Sequence, residues 1–470
     1  MRFISLLILS LSISFLAHAQ SPFLVKPYLQ LGDAPRAVDG RLDLLWHTGD
    51  ADRAWSVTFR SQGETAWRKA TPTFTRVAVP TVDPHRVYAC TMAPLKPGLP
   101  FDYRVLVEGQ VVFEAQGIAR KTAGQSQRVA LLGDIAMKGP GHRAIAYLVS
   151  LQNPDYAVVP GDIVYPRGRI PEYREVFYPV YNADTATPAG GAPLLRRSPW
   201  VGVLGNHDVE HMVKAKYPDT LAYYLYWNQP LNGPTLAPGG PNTPELYPFK
   251  DWQPFLQAAG PRFPRMGNFS FDVGEVHWTM LDTNPYVHWD DPALKSWLEK
   301  DLQGAASATW RFVVFHQLGF HSSRAHAQDQ WTRLLSPIFE KGGVDLVLGG
   351  HIHNYQRSLP LRFKPAPGAA SHLNAEQEGD VEGEFILDKA FDGKTHTKAN
   401  GIIYIVTGSG GAVRYDTRQG EDPASWKPFT SAFVSDRFSF SLMDIDGKRV
   451  TFRQLDIDDQ VADSFVLTKE

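Results

Sequence analysis

Five short segments between Gly133 and His353 end in residues that bind hard or borderline cations. They are Gly133-Asp134, Gly161-Asp162-Ile163-Val164-Tyr165, Gly205-Asn206-His207-Asp208, Val313-Val314-Phe315-His316 and Gly350-His351-Ile352-His353. Carboxylates, an amide oxygen and imidazoles suit iron, zinc or manganese rather than a metal held by thiolates. Two such ions about 3.5–4 Å apart form a clamp for in-line displacement at phosphorus. The residue types therefore point to metal-assisted hydrolysis, and the fold must bring all five segments to one place.

Each segment follows an apolar run of strand length: Val129-Ala130-Leu131-Leu132, Tyr156-Ala157-Val158-Val159, Trp200-Val201-Gly202-Val203-Leu204, Phe312-Val313-Val314-Phe315 and Leu346-Val347-Leu348. Near-continuous apolar strands are those buried on both faces. Helical patterns over 143–151, 293–302 and 328–339 lie between them. Loops at the carboxyl ends of strands are where open α/β sheets collect their sites, and all five segments have that placement. A turn at Asp446-Gly447 between apolar runs predicts antiparallel strands that finish the layer.

Before this region, from Phe23 to Lys121, apolar residues alternate with period two, as in Trp55-Ser56-Val57-Thr58-Phe59 and Phe101-Asp102-Tyr103-Arg104-Val105. That pattern predicts a small antiparallel sandwich, with Glu108-Gly109 as a hairpin turn. No cluster of catalytic residue types appears there, so its expected role is packing or positioning. A polar linker over 121–127 separates the two regions. Three stretches, 182–198, 227–264 and 364–400, are rich in Pro, Gly or aromatics and are expected to be loops that shape substrate choice. The chain has no internal repeat.

Of the 470 residues, 43% are hydrophobic and 20% charged, which is enough to build two or more packed domains. Lys plus Arg number 47 against 49 Asp plus Glu, so no basic footprint for nucleic acid or an acidic membrane exists. Met1-Arg2, the apolar run from Phe3 to Leu16 and Ala17-His18-Ala19 read as a signal peptide over 1–19. That run is shorter than the roughly 20 residues that span a bilayer. A periplasmic or secreted protein without a membrane anchor is expected. Cys90 is the only cysteine, which excludes an internal disulfide and cysteine-cluster metal chemistry, and its apolar surroundings predict a core residue. Asn268-Phe269-Ser270 is a glycosylation sequon.

The order of the five segments, a GD, GDxxY, GNH followed by an acid, a strand ending in His, and GHxH, resembles the calcineurin-like metallophosphoesterases, and more closely the purple acid phosphatases. Lys26-Pro27-Tyr28-Leu29-Gln30, Phe269-Ser270-Phe271-Asp272-Val273-Gly274 and the continuation of the last segment through Asn354-Tyr355-Gln356-Arg357 extend the similarity over nearly the whole mature chain. The resemblance implies an α/β fold of four layers, two sheets flanked by helices, over 127–470. It also implies a fibronectin type III-like all-β domain over 20–121.

By the same resemblance, Asp134, Tyr165 and His353 hold one ion, Asn206, His316 and His351 hold the other, and Asp162 bridges them. Related enzymes of the wider superfamily carry a His two positions after the first Asp, where this chain has Ala136. Tyr165 takes that place as a phenolate ligand. A phenol of ordinary pKa about 10 ionises readily only beside a strongly polarising ion. Fe(III) is therefore expected there, with zinc, iron or manganese as the divalent partner.

The implied reaction is hydrolysis of a small phosphate monoester by metal-hydroxide in-line attack; a phosphodiester or nucleotide substrate is the alternative. His207 resembles the family's histidine beside the ligand Asn. His326, with His321 as the other candidate, lies in the loop that carries proton donors to the leaving group, and Ala325-His326 stands where the family often has paired histidines. Asp208 is expected to support His207 or its loop by hydrogen bonding, and Arg357 to contact an anion.

Overall fold

The alternation of side chains along each strand decides which core it enters. The computed structural model describes residues 21–36, 40–209 and 216–470, so the predicted segment 1–19 lies outside the described residues. Val129 and Leu131 of strand Gln127–Leu131 enter a core between two sheets. Ala130 and Leu132 face the opposite way, under helix Gly141–Leu151. On the second sheet, Phe312, Val314, Leu346 and Leu348 join that central core. Val313, Phe315 and Val347 instead meet Leu294, Leu298 and Leu302 of helix Pro292–Gly304. Period-two patterning with both faces apolar thus produces four layers: helices, sheet, sheet, helices.

The first sheet has six strands in the order Trp200–Gly202, Tyr156–Val159, Gln127–Leu131, Ser439–Asp446, Arg449–Asp456 and Val461–Thr468. Its first three are parallel and the rest antiparallel. The second has seven, in the order Phe269–Val273, Val276–Met280, Trp310–Gln317, Leu346–Gly350, Ile403–Thr407, Tyr355–Ser358 and Thr430–Val434. The four strands from Val276–Met280 to Ile403–Thr407 run parallel. The helical pattern over 328–339 begins later than predicted, as a 3-10 turn at Trp331–Leu335 followed by helix Ser336–Lys341. Gln330 binds Ala327 O and Asp380 with its side-chain amide, and this holds the preceding residues in a loop.

The strand-rich N-terminal region forms two four-stranded antiparallel sheets, with Trp46, Trp55, Phe59, Tyr88 and Tyr103 in the core between them. Glu108 and Gly109, at φ 50° and 79°, form the tight turn between Pro100–Val107 and Gln110–Ile118. Cys90 is buried there, and burial pushes its thiol up to about 12. Two of the three expected loops also contribute to the seam between this sandwich and the rest. Asn182 donates to Lys26 O at 2.9 Å, Tyr103 to Arg196 O at 2.9 Å, and Asn228 to Asp43 at 2.6 Å. Trp227, Trp252, Phe255 and Phe263 are buried in a cluster that also holds Val25, Tyr28 and Val77 of the sandwich. Their aromatic content serves burial at the seam. Asn268 of the sequon is 2% exposed and accepts from Asp282 N, so the folded chain keeps it closed to modification.

His277 on strand Val276–Met280 lies between two carboxylates, Nδ1 at 2.7 Å from Asp272 and Nε2 at 3.1 Å from Asp301. Burial alone would lower its pKa, but the two carboxylates push it up to about 9. Because the folded value exceeds the unfolded one of about 6.5, the stabilisation is complete below pH 6.5 and is lost as pH rises through 9. In urea unfolding, wild type should exceed His277→Gln by roughly 1–3 kcal/mol at pH 6, with the difference shrinking towards zero by pH 10. A difference that does not change with pH would show that the imidazolium is not clamped in this way.

Candidate metal centre

The predicted ligands come from both sheets and meet at the carboxyl ends of their strands. Asp134 and Asp162 follow Gln127–Leu131 and Tyr156–Val159, and Asn206 opens the short helix Asn206–Val209 after Trp200–Gly202. His316 lies near the end of Trp310–Gln317, and His351 and His353 follow Leu346–Gly350. The first sheet thus supplies the oxygen donors and the second the imidazoles. Asp134, Asp162, His316, His351, His353 and Tyr165 are all buried.

Two groups of donor atoms share Asp162. In one, the Tyr165 hydroxyl is 3.1 Å from Asp134 Oδ1, 2.8 Å from Asp162 Oδ2 and 3.0 Å from His353 Nε2. In the other, Asn206 Oδ1 is 3.1 Å from both His316 Nε2 and His351 Nδ1, and His316 Nε2 is 3.3 Å from Asp162 Oδ1. The donor atoms of Asp134, Asp162 and His316 lie within 4.8 Å of one another. Gly350 and Gly205 make this approach possible. A Cβ at Gly350 would be 2.6 Å from Asp134 Oδ2, and one at Gly205 would overlap the Asp162 carboxylate.

The electrostatics suit cations. Burial and the neighbouring Asp134 and Asp162 carboxylates raise the Tyr165 phenol well above its ordinary range, so it ionises only if positive charge arrives beside it. Burial would raise Asp162 and lower His316, but their attraction for each other reverses both, holding Asp162 low and pushing His316 up to about 9.

Each histidine is anchored through its other ring nitrogen. His316 Nδ1 donates to Pro160 O at 2.9 Å, His353 Nδ1 to Val413 O at 2.5 Å and His207 Nδ1 to Pro166 O at 2.8 Å. These bonds leave Nε2 of each facing the centre, the arrangement by which outer partners orient metal-binding imidazoles. His207 Nε2 is 3.9 Å from Asp162 Oδ2, and its ring lies 4.4 Å from that of Tyr165.

Residues 127–355 match the calcineurin-like phosphoesterase family. This region is a calcineurin-like phosphoesterase domain. The chain is similar to purple acid phosphatase 18 of Arabidopsis thaliana, 26% identical over 41% of this chain and 38% of that one. It is also similar to purple acid phosphatase 22 of the same plant, 24% identical over 54% and 50%. The chain therefore spans half or less of the length of these relatives. Among solved structures, a purple acid phosphatase from yellow lupin seeds shares the fold with a TM-score of 0.62 at 17% identity, over 94% of this chain and 74% of that one. PhoD shares it with 0.57 at 14%, over 96% and 91%.

Around the centre, four non-glycine residues have a left-handed backbone: Asp134 (φ 57°), Asp162 (48°), His326 (57°) and His351 (70°). Such residues persist only where their surroundings impose the conformation, and they concentrate at functional sites. His326 lies beside these donors, with its ring 4.1 Å from that of His351. His321 is buried, and burial lowers its pKa to about 3. Arg357 corrects the sequence reading. It is buried on strand Tyr355–Ser358 and paired with Asp463 at 2.7 and 3.0 Å, so it has no free face for an anion.

Two residues at the centre escaped the sequence. Tyr415 stacks on His353 at 4.1 Å and 10°, and its ring is 5.5 Å from that of His326. It lies in the loop after strand Ile403–Thr407, where Gly408-Ser409-Gly410-Gly411 was the available signal. Asp329, three residues after His326, bonds to both His326 and His351.

Asp208 supports the loop rather than His207. Its buried carboxylate accepts from Ile163 N at 3.1 Å, Gly205 N at 2.9 Å and Val164 N at 3.4 Å. Asp208→Ala leaves these buried amides unpaired and should cost roughly 3 kcal/mol or more in urea unfolding. Asp208→Asn, which still presents one acceptor oxygen, should recover part of that. Equal losses in the two variants would argue against the amide clamp.

Proposed function

We propose that this chain is an exported, dinuclear metal-dependent phosphatase that hydrolyses small phosphate monoesters. The observation that carries the proposal is the division of seven convergent donors into two groups that share Asp162. Asp134, Asp162, Tyr165 and His353 would hold one cation, and Asp162, Asn206, His316 and His351 the other. The donor chemistry fits: one side has two carboxylates, a phenol and an imidazole, and the other a carboxylate, an amide oxygen and two imidazoles. Tyr165 favours Fe(III) on its side, with zinc, iron or manganese opposite. Bound cations would supply a nucleophile at or below neutral pH and neutralise charge on the phosphoryl oxygens.

The protein groups have separate tasks in this reading. His207, held through Nδ1, points Nε2 towards the space beside Asp162, where it donates to a phosphoryl oxygen. His326, exposed at the rim, donates a proton to the departing alcohol oxygen. No covalent phosphoenzyme is required, so the chain needs no nucleophilic Ser or Cys. The N-terminal sandwich, fibronectin type III-like in this reading, acts as a positioning module.

Removal of metal by a chelator should abolish hydrolysis of p-nitrophenyl phosphate, and Asp162→Asn or His316→Ala should lower kcat by roughly 100-fold or more, since a bound ion contributes several kcal/mol. Full activity after verified metal removal would refute the proposal. The loaded protein should be purple or pink and lose its colour in Tyr165→Phe. A colourless, fully loaded and active wild type would rule out iron at Tyr165. Turnover of bis-p-nitrophenyl phosphate well above that of the monoester would shift the assignment to a phosphodiesterase.

A further inference from the structure

One carboxylate oxygen, Asp329 Oδ2, accepts from two imidazoles: His351 Nε2 at 2.7 Å and His326 Nδ1 at 3.1 Å. Among the described residues these two histidines are its only ion-pair partners. The bond to His351 places that ring's proton on Nε2 and leaves Nδ1 as a lone pair 3.1 Å from Asn206 Oδ1, inside the second donor group. The bond to His326 uses Nδ1 and turns Nε2 away from the carboxylate. The left-handed backbone at His326 keeps its ring close to His351.

His351 differs from the other anchored histidines in the charge behind it. Backbone carbonyls anchor His207, His316 and His353, whereas His351 has a carboxylate. A carboxylate behind an imidazole raises its basicity and fixes its tautomer. The second donor group is also the poorer in negative charge, because apart from shared Asp162 its donors are a neutral amide and two imidazoles. Asp329 thus adds charge where the donor set lacks it.

We propose that Asp329 is a positioning residue that couples the second donor group to the proton donor, fixing His351 as a donor to the second cation while setting His326 towards the leaving group. This rests on the ligand assignment proposed above. It differs from a third cation among His326, Asp329 and His351, whose donor atoms lie within 4.8 Å of one another. That alternative would require His351 to bridge two ions as an imidazolate, at the cost of both hydrogen bonds to Asp329.

The test compares full-length wild type with Asp329→Ala, Asp329→Asn and His326→Ala. Metal content is measured after equilibrium dialysis against graded zinc, and kcat and KM with aryl and alkyl phosphates at saturating metal. Wild type should hold two ions, and Asp329→Ala should bind the second 10–100-fold more weakly. With metal restored, its kcat for the alkyl ester should fall at least 10-fold more than for p-nitrophenyl phosphate, with KM changed less than 3-fold. Asp329→Asn keeps an acceptor oxygen and should fall between Asp329→Ala and wild type. His326→Ala should reproduce the leaving-group effect with metal binding unchanged.

In Asp329→Ala, wild-type metal affinity or an unchanged ratio of alkyl to aryl turnover would each overturn the coupling. Three ions in wild type, with one lost in Asp329→Ala, would replace it with a third site. A wild type that hydrolyses both esters while holding no metal would overturn the ligand assignment itself, and the coupling with it.

Discussion

The centre depends on the register in which two sheets face each other. One sheet brings buried carboxylates to the ends of its strands, and the other brings imidazoles. Neither set would be stable alone in a dry interior, where an unpaired charge costs several kcal/mol. Packed together they compensate: Asp162 meets His316 and Asp134 meets His353, both at 3.3 Å. The apolar core between the sheets, built from Leu131, Val158, Phe312, Val314 and Leu348, sets that register. A slip of one residue in any of these strands would turn its apolar set to the wrong face and move its ligand with it.

The sandwich contributes to the same alignment. Thr81 donates to Asp219 at 2.8 Å, and Asp219 also accepts from Arg169 at 3.0 Å and from its Nη2 at 3.2 Å. Asp219 O accepts from Ile170 N, and Ala222 N donates to Gly168 O. The loop that carries Asp162 and Tyr165 is thus tied, within a few residues, to a strand connection of the N-terminal sandwich. This gives physical content to a domain that has no catalytic residue types of its own.

Asp134, Asp162, Asn206 and His351 were legible because each ends a local pattern: an apolar strand, then Gly, then a donor. His316 ends its strand directly, and Tyr165 and His353 stand three and two residues beyond the first donor of their segments. His326 was legible by spacing, but its left-handed backbone and its approach to the His351 ring are reported by no sequence pattern. Asp329 and Tyr415 were not singled out, because their places depend on contacts with His351 and with His353 that no local donor pattern announces. Arg357 was misread for the same reason. Nothing near it in sequence announces Asp463, more than a hundred residues away. The aromatic-rich stretch over 227–264 looked like a variable loop, although its large apolar side chains had to be buried somewhere.

The four left-handed residues at the centre have an evolutionary consequence. Each holds a conformation that costs of order 1–3 kcal/mol for a residue with a side chain, and each is kept for the sake of the side chain it presents. Glycine at any of them would relieve the backbone while deleting a functional group. A lineage released from selection for catalysis would therefore gain stability by abandoning these positions first. Glycine or asparagine at 134, 162 or 351 in a homologue would mark a domain that has given up these donors.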